Sequence, residues 1–581
     1  MALEHVIESD VLVVGGGMAG FFAAINACEQ VDHVTLVDKG FAGKSGVSHF
    51  AEGDFTFLKP DTDHDINAWI DQMSQTSEYL NNQQWDRIIF EDSYDRYNDL
   101  VSWGLELVIK DGEIQSGRFG VQEHYCMVPR KYLPMLRKKA LDVGVKIIDR
   151  IMFAELLRND SRIVGGIGFH TTSGDLYLFK ANAVVLAAGG SSLKMETQPV
   201  HVWTSDGDSL AYRAGAMIAG KEFVGNQSGI LRTGYQGHRN LNNLSGIEGR
   251  DVDLLTRFPN YRANLQGQLA FPTLNSEGGQ VITSTWEAHC GRAPLYINYD
   301  NISNPEHAKE YFMRIGTAEN DKIGLNPLKG GKFKFSAGRE ETVKNVHSGS
   351  GVWPTDTDCS SNIPGLYCAG NNCATMTLGA VYGSYGIGLL HAAVTGARAG
   401  KGAAKYSRGY KSINIDNKIL TITKNHVCEP IERKGGFSPR WTIQVLQGIM
   451  VPYFIMNIKH ERRLQAALTL VEFMNQHLVP KLVAHDPHEW RLAHETRNMV
   501  LNSEMTLRAS LFRTESRGVH FREDFPRRID PEWLAWVRLK EENGEMLVSK
   551  EQIPKEWWPD LSLSYEERYP IMLPMEEETV D

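Results

Sequence analysis

Residues 11–38 read VLVVGGGMAGFFAAINACEQVDHVTLVD. The β-branched run Val11–Val14 breaks at Gly15, Gly17 and Gly20, a small-residue helix pattern runs from Ala19 to Ala27, and a second apolar run, Val34–Val37, ends in Asp38. Strand, glycine turn, helix, strand, acid is the order that a dinucleotide-binding βαβ unit needs. The first glycine permits the tight turn, the second lets the backbone approach a pyrophosphate, and the third brings the helix close to the strand. Free N–H groups at the helix start favour phosphate, and Asp38 is placed to accept from ribose hydroxyls. A glycine turn that binds nothing has no need of the helix and the acid in these places. The sequence thus predicts a dinucleotide site on Gly15, Gly17, Gly20 and Asp38.

Two later segments repeat the strand-into-glycine form: Asn182-Ala-Val-Val-Leu-Ala-Ala-Gly-Gly190 and Gly365-Leu-Tyr-Cys-Ala-Gly370. Three such crossings predict an α/β, Rossmann-like domain that is discontinuous in sequence, with the stretch between about 222 and 344 inserted in it. Residues 65–107 read as helical. Residues 145–148, 154–157, 163–171 and 176–179 read as short strands. From about 440 the texture turns helical, with Leu464, Leu468, Val471 and Phe473, then Leu492, Met499 and Leu507, at helix spacing. Val445–Ile458 reads as a buried helix, and the last fifty residues show little periodicity.

The chain has 581 residues, 42% hydrophobic and 23% charged, which is ordinary for a multidomain globular protein. A net charge of −10 with no basic concentration argues against a nucleic-acid partner. The opening MALEHVIESD lacks the apolar core of a signal peptide, and Val445–Ile458 is too short and polar to span a bilayer. The seven cysteines, Cys28, Cys126, Cys290, Cys359, Cys368, Cys373 and Cys428, form no CxxC. That set points to a reducing cytoplasm, and any iron–sulfur centre would have to come from another chain. His494-Glu495 begins like a zinc helix, but position 498 is Asn, so no metal site is expected.

Four segments in this order resemble the flavoprotein subunits of succinate dehydrogenase and fumarate reductase and their relative, the adenylylsulfate reductase alpha subunit. They are the N-terminal fingerprint, AVVLAAGGSS (183–192), GLYCAGNN (365–372) and ESRGVHFREDFP (515–526). The resemblance implies FAD in the glycine-rich site, an inserted capping domain over the flavin and a helical domain after it. It divides the chain into an FAD-binding domain at 1–221 and 345–424, a capping domain at 222–344, a helical domain at 425–526 and an extension at 527–581. It also implies FAD contacts at Lys39, Lys44, Ser45, Gly46, Glu52 and Gly53, and at Ala188, Gly189, Gly370 and Asn371.

Departures from the pattern indicate the branch. Succinate dehydrogenases carry FAD covalently on a His in an SHTVAAEGG-like segment. Here the segment is Ser45-Gly-Val-Ser-His-Phe-Ala-Glu-Gly53; aligned on Ala51-Glu52-Gly53, the His position falls on Val47, with His49 two residues off register. Non-covalent FAD is expected. The HPTG segment of fumarate reductases is replaced by Asn226-Gln-Ser-Gly229, and the carboxylate-clamping arginine of their GANRLGGNS-like segment is missing from Ala374-Thr-Met-Thr-Leu-Gly-Ala-Val-Tyr-Gly-Ser384. A dicarboxylate needs paired cationic forks, so plain fumarate or succinate chemistry is not expected.

The same stretches resemble the adenylylsulfate reductase alpha subunit more closely: His289-Cys-Gly-Arg-Ala-Pro-Leu-Tyr296, Asn345-Val-His-Ser-Gly-Ser-Gly-Val-Trp353 and Leu231-Arg-Thr-Gly-Tyr235. Carried over by position, Arg292, His347, Arg232 and Trp203 would line the substrate cavity. Arg292 suits anion binding or proton delivery, and His347 suits proton transfer or donation to a developing anion. A solvated loop arginine, a packing histidine and a core tryptophan stay open as alternatives. Arg517, His520, Arg522 and Asp524 are either flavin-stabilising charges or an ion-pair tie between domains. The resulting expectation is a cytoplasmic FAD-dependent oxidoreductase subunit in a hetero-oligomer. It would exchange electrons between a small anionic substrate and a ferredoxin-like iron–sulfur partner. A fumarate-reductase-type C=C reductase and a flavin electron relay within a larger complex are the alternatives.

Overall fold

The computed structural model describes residues 2–49, 54–59, 65–107, 132–159, 161–194, 202–227, 350–381, 386–410, 413–570 and 572–576, with short stretches between 109 and 127 and between 247 and 345. β1 (His5–Val14) leads into α1 (Met18–Cys28) and β2 (Val34–Val37). The expected helical stretch is α2 (Ile66–Thr76), α3 (Gln83–Glu91) and α4 (Ser93–Ser102). Strands β3 (Lys146–Ile148), β4 (Ile151–Asn159), β5 (Arg162–His170) and β6 (Leu176–Leu186) follow. After α5 (Asp206–Arg213), β7 (Ile218–Ala219) and β8 (Val224–Gln227), the chain returns through β9 (Thr342–Asn345), β10 (Gly351–Val352), β11 (Leu366–Cys368) and α6 (Ile387–Ser407).

One seven-stranded sheet runs in the order β3-β2-β1-β6-β5-β4, with β11 also on β6. β3, β2, β1, β6 and β11 pair in parallel, so the three glycine crossings leave the sheet at one end, while β5 and β4 run antiparallel. The sequence reads 176–179 and 182–190 as separate pieces; the structure has one eleven-residue strand. The reason is its double edge. Leu176–Lys180 pairs with β5 and Val184–Leu186 with β11, while β1 lines the opposite side. Pairing on both edges carries the strand through Lys180 and Asn182, where the apolar pattern is interrupted.

The small residues after β11 have a packing cause. A Cβ on Gly396 would lie 2.4 Å from the Ala19 carbonyl oxygen, and one on Gly400 would lie 2.2 Å from that of Ala23. Glycines four apart on α6 let it touch α1 backbone to backbone, which presses both helices onto the sheet.

Beyond α6 come α7 (Asn417–Glu432), α8 (Pro439–Met450), α9 (Glu461–Phe473) and α10 (Pro487–Phe512). Leu464, Leu468, Val471, Leu492, Met499 and Leu507 meet in one core with Leu446. Phe473 departs from that pattern, being 52% exposed. Val445–Ile458 is not one helix: α8 ends at Met450, and Pro452, which has no N–H to continue the ladder, precedes a single turn at Tyr453–Met456. The last fifty residues hold a hairpin, β12 (Ala535–Glu542) and β13 (Glu545–Gln552), in a sheet ordered β10-β7-β12-β13. Its turn is Asn543-Gly544, both at positive φ, the pairing that two-residue hairpins favour. Among the described residues no helix is long and apolar enough to cross a membrane.

Candidate flavin and substrate site

The β1-to-α1 turn is built as the sequence predicts. Gly15 has φ +112°, and a Cβ there would sit 2.2 Å from the Ala187 carbonyl oxygen of the second crossing; a Cβ on Gly20 would sit 1.8 Å from the Gly15 oxygen. No side chain could be added at either position without moving backbone. Asp38 is buried at the end of β2, its Oδ2 accepting from the Gly16 amide and its Oδ1 from the Gly40 amide, both at 2.8 Å. Burial pushes its carboxyl up, and the two amides oppose that shift. The acid expected to meet ribose therefore also braces the turn. The Lys39 ammonium is directed away to Asp206 at 2.7 Å, Glu495 at 2.8 Å and Thr204 at 2.6 Å. Burial opposes its charge, but those carboxylates hold the ammonium above the usual lysine range.

The loop after β2 borders the start of α1. The Ser48 hydroxyl accepts from the Met18 amide at 3.3 Å, and the Ser48 carbonyl accepts from the Tyr132 hydroxyl at 2.7 Å. Ser45 Oγ accepts from the Phe41 amide. Lys44 is exposed. Gly46 has φ +114°, and nothing lies within 4 Å of where its Cβ would project. Val47–His49 form a 3-10 turn. Glu52 and Gly53 lie outside the described residues.

The second and third crossings are joined by a polar bridge that sequence reasoning missed. Asn372 Oδ1 accepts from the Ala188 amide at 2.6 Å, and its Nδ2 donates to Asp208 at 2.9 Å. Asp208 also accepts from Ser191 at 2.6 Å and from Lys221 at 2.5 Å, and Lys221 donates to Asn502 at 2.8 Å. All these side chains are buried. An Asn directly after a strand-ending Gly370-Asn371 was the available signal, but its partners could not be read from spacing. Gly189 and Gly370 have positive φ, and Asn371 is partly exposed on the Gly370–Asn372 turn. Trp203 is 3% exposed and packs on the second crossing: a Cβ on Gly189 would lie 3.0 Å from its Nε1, and one on Gly190 would lie 3.4 Å from its ring. It touches the site through that turn. Arg232, Arg292 and His347 lie outside the described residues.

The 515–526 segment resolves as an ion-pair tie. Arg517 donates to Glu515 at 2.8 and 2.9 Å and to Asp530 at 2.7 Å, Arg522 to Asp524 at 2.8 and 2.7 Å, and Arg513 to Glu222 at 3.0 Å. His520 Nε2 donates to the Arg513 carbonyl, and its Nδ1 accepts from the Lys459 ammonium at 2.9 Å. Burial pulls Lys459 down to about 7 and keeps His520 neutral. Each of these guanidinium groups is matched by carboxylates of the chain itself.

Around the first crossing, Gly15 and Gly17 are partly exposed among fully buried neighbours, as are Ala188, Gly189 and Asn371 at the other two. α1 begins at Gly17, which has no side chain to cover the positive end of the helix, so an anion can approach it beside the Ser48 hydroxyl that takes the Met18 amide. The open side of Gly46 adds room, so these residues fit a dinucleotide whose phosphates lie against the helix start. Among the described residues no group of three or more His, Cys, Asp or Glu is arranged to hold a metal ion.

Comparison with known proteins agrees. Residues 10–230 match the FAD binding domain family, and residues 444–566 match the C-terminal domain of fumarate reductase flavoproteins. The chain is 24% identical over 570 residues to one chain of the CoM/CoB fumarate reductase of Methanothermobacter marburgensis, covering 94% of this chain and 100% of the relative. It is 22% identical over 592 residues to the succinate dehydrogenase flavoprotein subunit of Bacillus subtilis, covering 96% and 97%. Its fold matches E. coli quinol fumarate reductase with a TM-score of 0.80 at 17% identity, covering 94% of this chain and 97% of the other. It matches the adenylylsulfate reductase of Archaeoglobus fulgidus with a TM-score of 0.76 at 20% identity, covering 95% and 96%. A βαβ flavin cradle fed by three glycine crossings defines an FAD-dependent oxidoreductase. More narrowly, it combines an FAD binding domain with the C-terminal domain of fumarate reductase flavoproteins, and over nearly its whole length it is similar to fumarate reductase and succinate dehydrogenase flavoproteins.

Proposed function

We propose that this protein exchanges electrons between a small anionic substrate and a ferredoxin-like iron–sulfur partner, in the manner of adenylylsulfate reductase. The observation that carries this reading is the 374–384 loop, where fumarate reductases hold a carboxylate with arginine. Here it has no arginine, and Thr375 is buried against Thr377 at 2.9 Å and His391 Nε2 at 2.8 Å. Burial pulls His391 down to about 3, so it carries no charge at neutral pH. Without that clamp, anion binding falls to Arg292 and Arg232, with His347 carrying a proton and Trp203 shaping the second glycine turn.

FAD, when bound, supplies an acceptor for an electron pair that can be passed on one electron at a time. The glycine turn at Gly15–Gly17 and the start of α1 would border its phosphates, and Asp38, which braces the turn, would meet the ribose. Arg292 fixes the anion in line, and His347 moves the proton that accompanies the electron pair. The seven cysteines lack cluster spacing, so single electrons pass to a separate chain in a cytoplasmic hetero-oligomer. A C=C reductase is the second reading, favoured by the fumarate reductase names of the relatives.

Oxidation of a reduced viologen dye, assayed with adenylylsulfate and with fumarate as electron acceptors, tests both. Arg292→Ala and His347→Asn should keep FAD and lose about two or more orders of magnitude in turnover. Near-wild-type turnover in both variants overturns the assignment, and activity on fumarate alone selects the second reading.

A further inference from the structure

Four described residues of the inserted segment that carries Arg292 form one helical face against the rest of the protein. Ile282, Thr285, Trp286 and His289 are helical and spaced i, i+3, i+4 and i+7, so they share that face. Each has a partner outside the insertion. Ile282 is buried in an apolar cluster with Ile458, Phe521 and Leu573. The Thr285 hydroxyl accepts from Asn457 at 3.4 Å. Trp286 meets Phe521 edge to face, with ring centroids 5.7 Å apart. His289 Nε2 lies 3.2 Å from the Glu523 carboxylate, and its Nδ1 lies 3.4 Å from the Tyr453 hydroxyl.

Leu573 is the unusual member of this seam. It lies beyond the residues that match the C-terminal family domain, which end at 566. Its own stretch is fastened three residues later. The Glu576 carboxylate is fully buried and accepts from Arg528 at 2.6 Å, from the Tyr565 hydroxyl and from the Leu573 amide. Arg528 in turn donates to both oxygens of Glu78, at 3.0 and 2.7 Å. Glu78 and the next residue, Tyr79, both hold positive φ, a conformation that non-glycine residues keep only where their surroundings fix it. A buried ion pair therefore anchors Glu576, and the anchor presents Leu573 to the inserted helix.

We propose that residues 572–576 are a positioning strap. Glu576 pins the stretch to Arg528, and Leu573 holds the face of Ile282, Thr285, Trp286 and His289 on Phe521, which fixes the start of the segment that leads, three residues past His289, to Arg292. This rests on the reading of Arg292 above; the docking of the helix does not.

The test uses the full-length FAD-loaded protein, with Leu573→Ala, Glu576→Gln and the conservative Leu573→Met. Amide hydrogen exchange is followed in peptides covering 282–291 and, as a control, α5. Leu573→Ala and Glu576→Gln should speed exchange in 282–291 by about tenfold or more, leave α5 and FAD content unchanged, and lower kcat with little change in KM. Leu573→Met should restore both. Unchanged exchange in 282–291 overturns the strap. Faster exchange with full turnover, where Arg292→Ala abolishes turnover, overturns the positioning role. If Arg292→Ala is silent, the catalytic reading of Arg292 fails by itself, and faster exchange in the strap variants still upholds the docking.

Discussion

Asn372 Oδ1 accepts a hydrogen bond from the Ala188 amide at 2.6 Å, and this side-chain contact extends the strand pairing of the second and third glycine crossings into their turns. Its other end, on Asp208, reaches Lys221 and through it Asn502 of α10. The two turns that border the flavin cradle are thereby fixed to each other and to the helical domain. Asn372→Ala would leave a backbone N–H and a carboxylate oxygen without a partner in a buried setting, at a cost of about 1–3 kcal/mol. Unfolding by urea should show that loss. Fluorescence titration should show FAD affinity falling by about tenfold, equivalent to ~1.4 kcal/mol. An unchanged unfolding midpoint together with an unchanged Kd would refute the bridge.

FAD is expected to be held without a covalent bond, because Val47 occupies the position where succinate dehydrogenases attach it to His. His49 lies two residues on, exposed in the same 3-10 turn. Acid precipitation should release all the yellow colour into the supernatant. Flavin retained on the washed pellet would contradict this, and a His49→Ala variant would then show whether that residue carries the link.

Stability should fall as the pH drops from about 6.5 toward 5. Burial pulls His391 and His494 each down to about 3, and burial with neighbouring cations holds His520 well below the ordinary value. All three stay neutral in the folded protein while the unfolded chain takes up protons below about 6.5. The unfolded state thus binds more protons in this window, and stability is lost as the pH falls. Each histidine adds at most ~1.4 kcal/mol per pH unit. Urea midpoints at pH 7, 6 and 5 measure the slope above the range where carboxylates titrate. His391→Gln should flatten it, and an unchanged slope would show that His391 is not a neutral group in the fold.

The parts of the site legible in sequence are the ones that local geometry encodes. Gly15, Gly17, Gly20 and Asp38 follow from a strand, a turn and a helix whose periods appear within thirty residues. The second and third crossings repeat the strand-to-glycine form, and the helical spacing from Leu464 to Leu507 identified a core that is present, apart from Phe473. The hairpin at 535–552 went unread despite Asn543-Gly544, because its strands carry charges and alternate weakly where β13 is an exposed edge. The direction of the Lys39 side chain was not legible, since Asp206 and Glu495 are far away in the chain.

By itself the sequence determined the dinucleotide turn and the strands that end in glycine. Each depends on the conformation or size of residues close together in the chain. Only the tertiary structure decided that Asn372 reaches back 184 residues to Ala188, that β6 is one strand shared by β1, β5 and β11, and that Leu573 joins Ile282 in one apolar cluster. A side chain's hydrogen-bonding and packing capacity is written in its chemistry. Which distant group satisfies it depends on how the whole chain excludes water from its core, and no spacing along the sequence carries that.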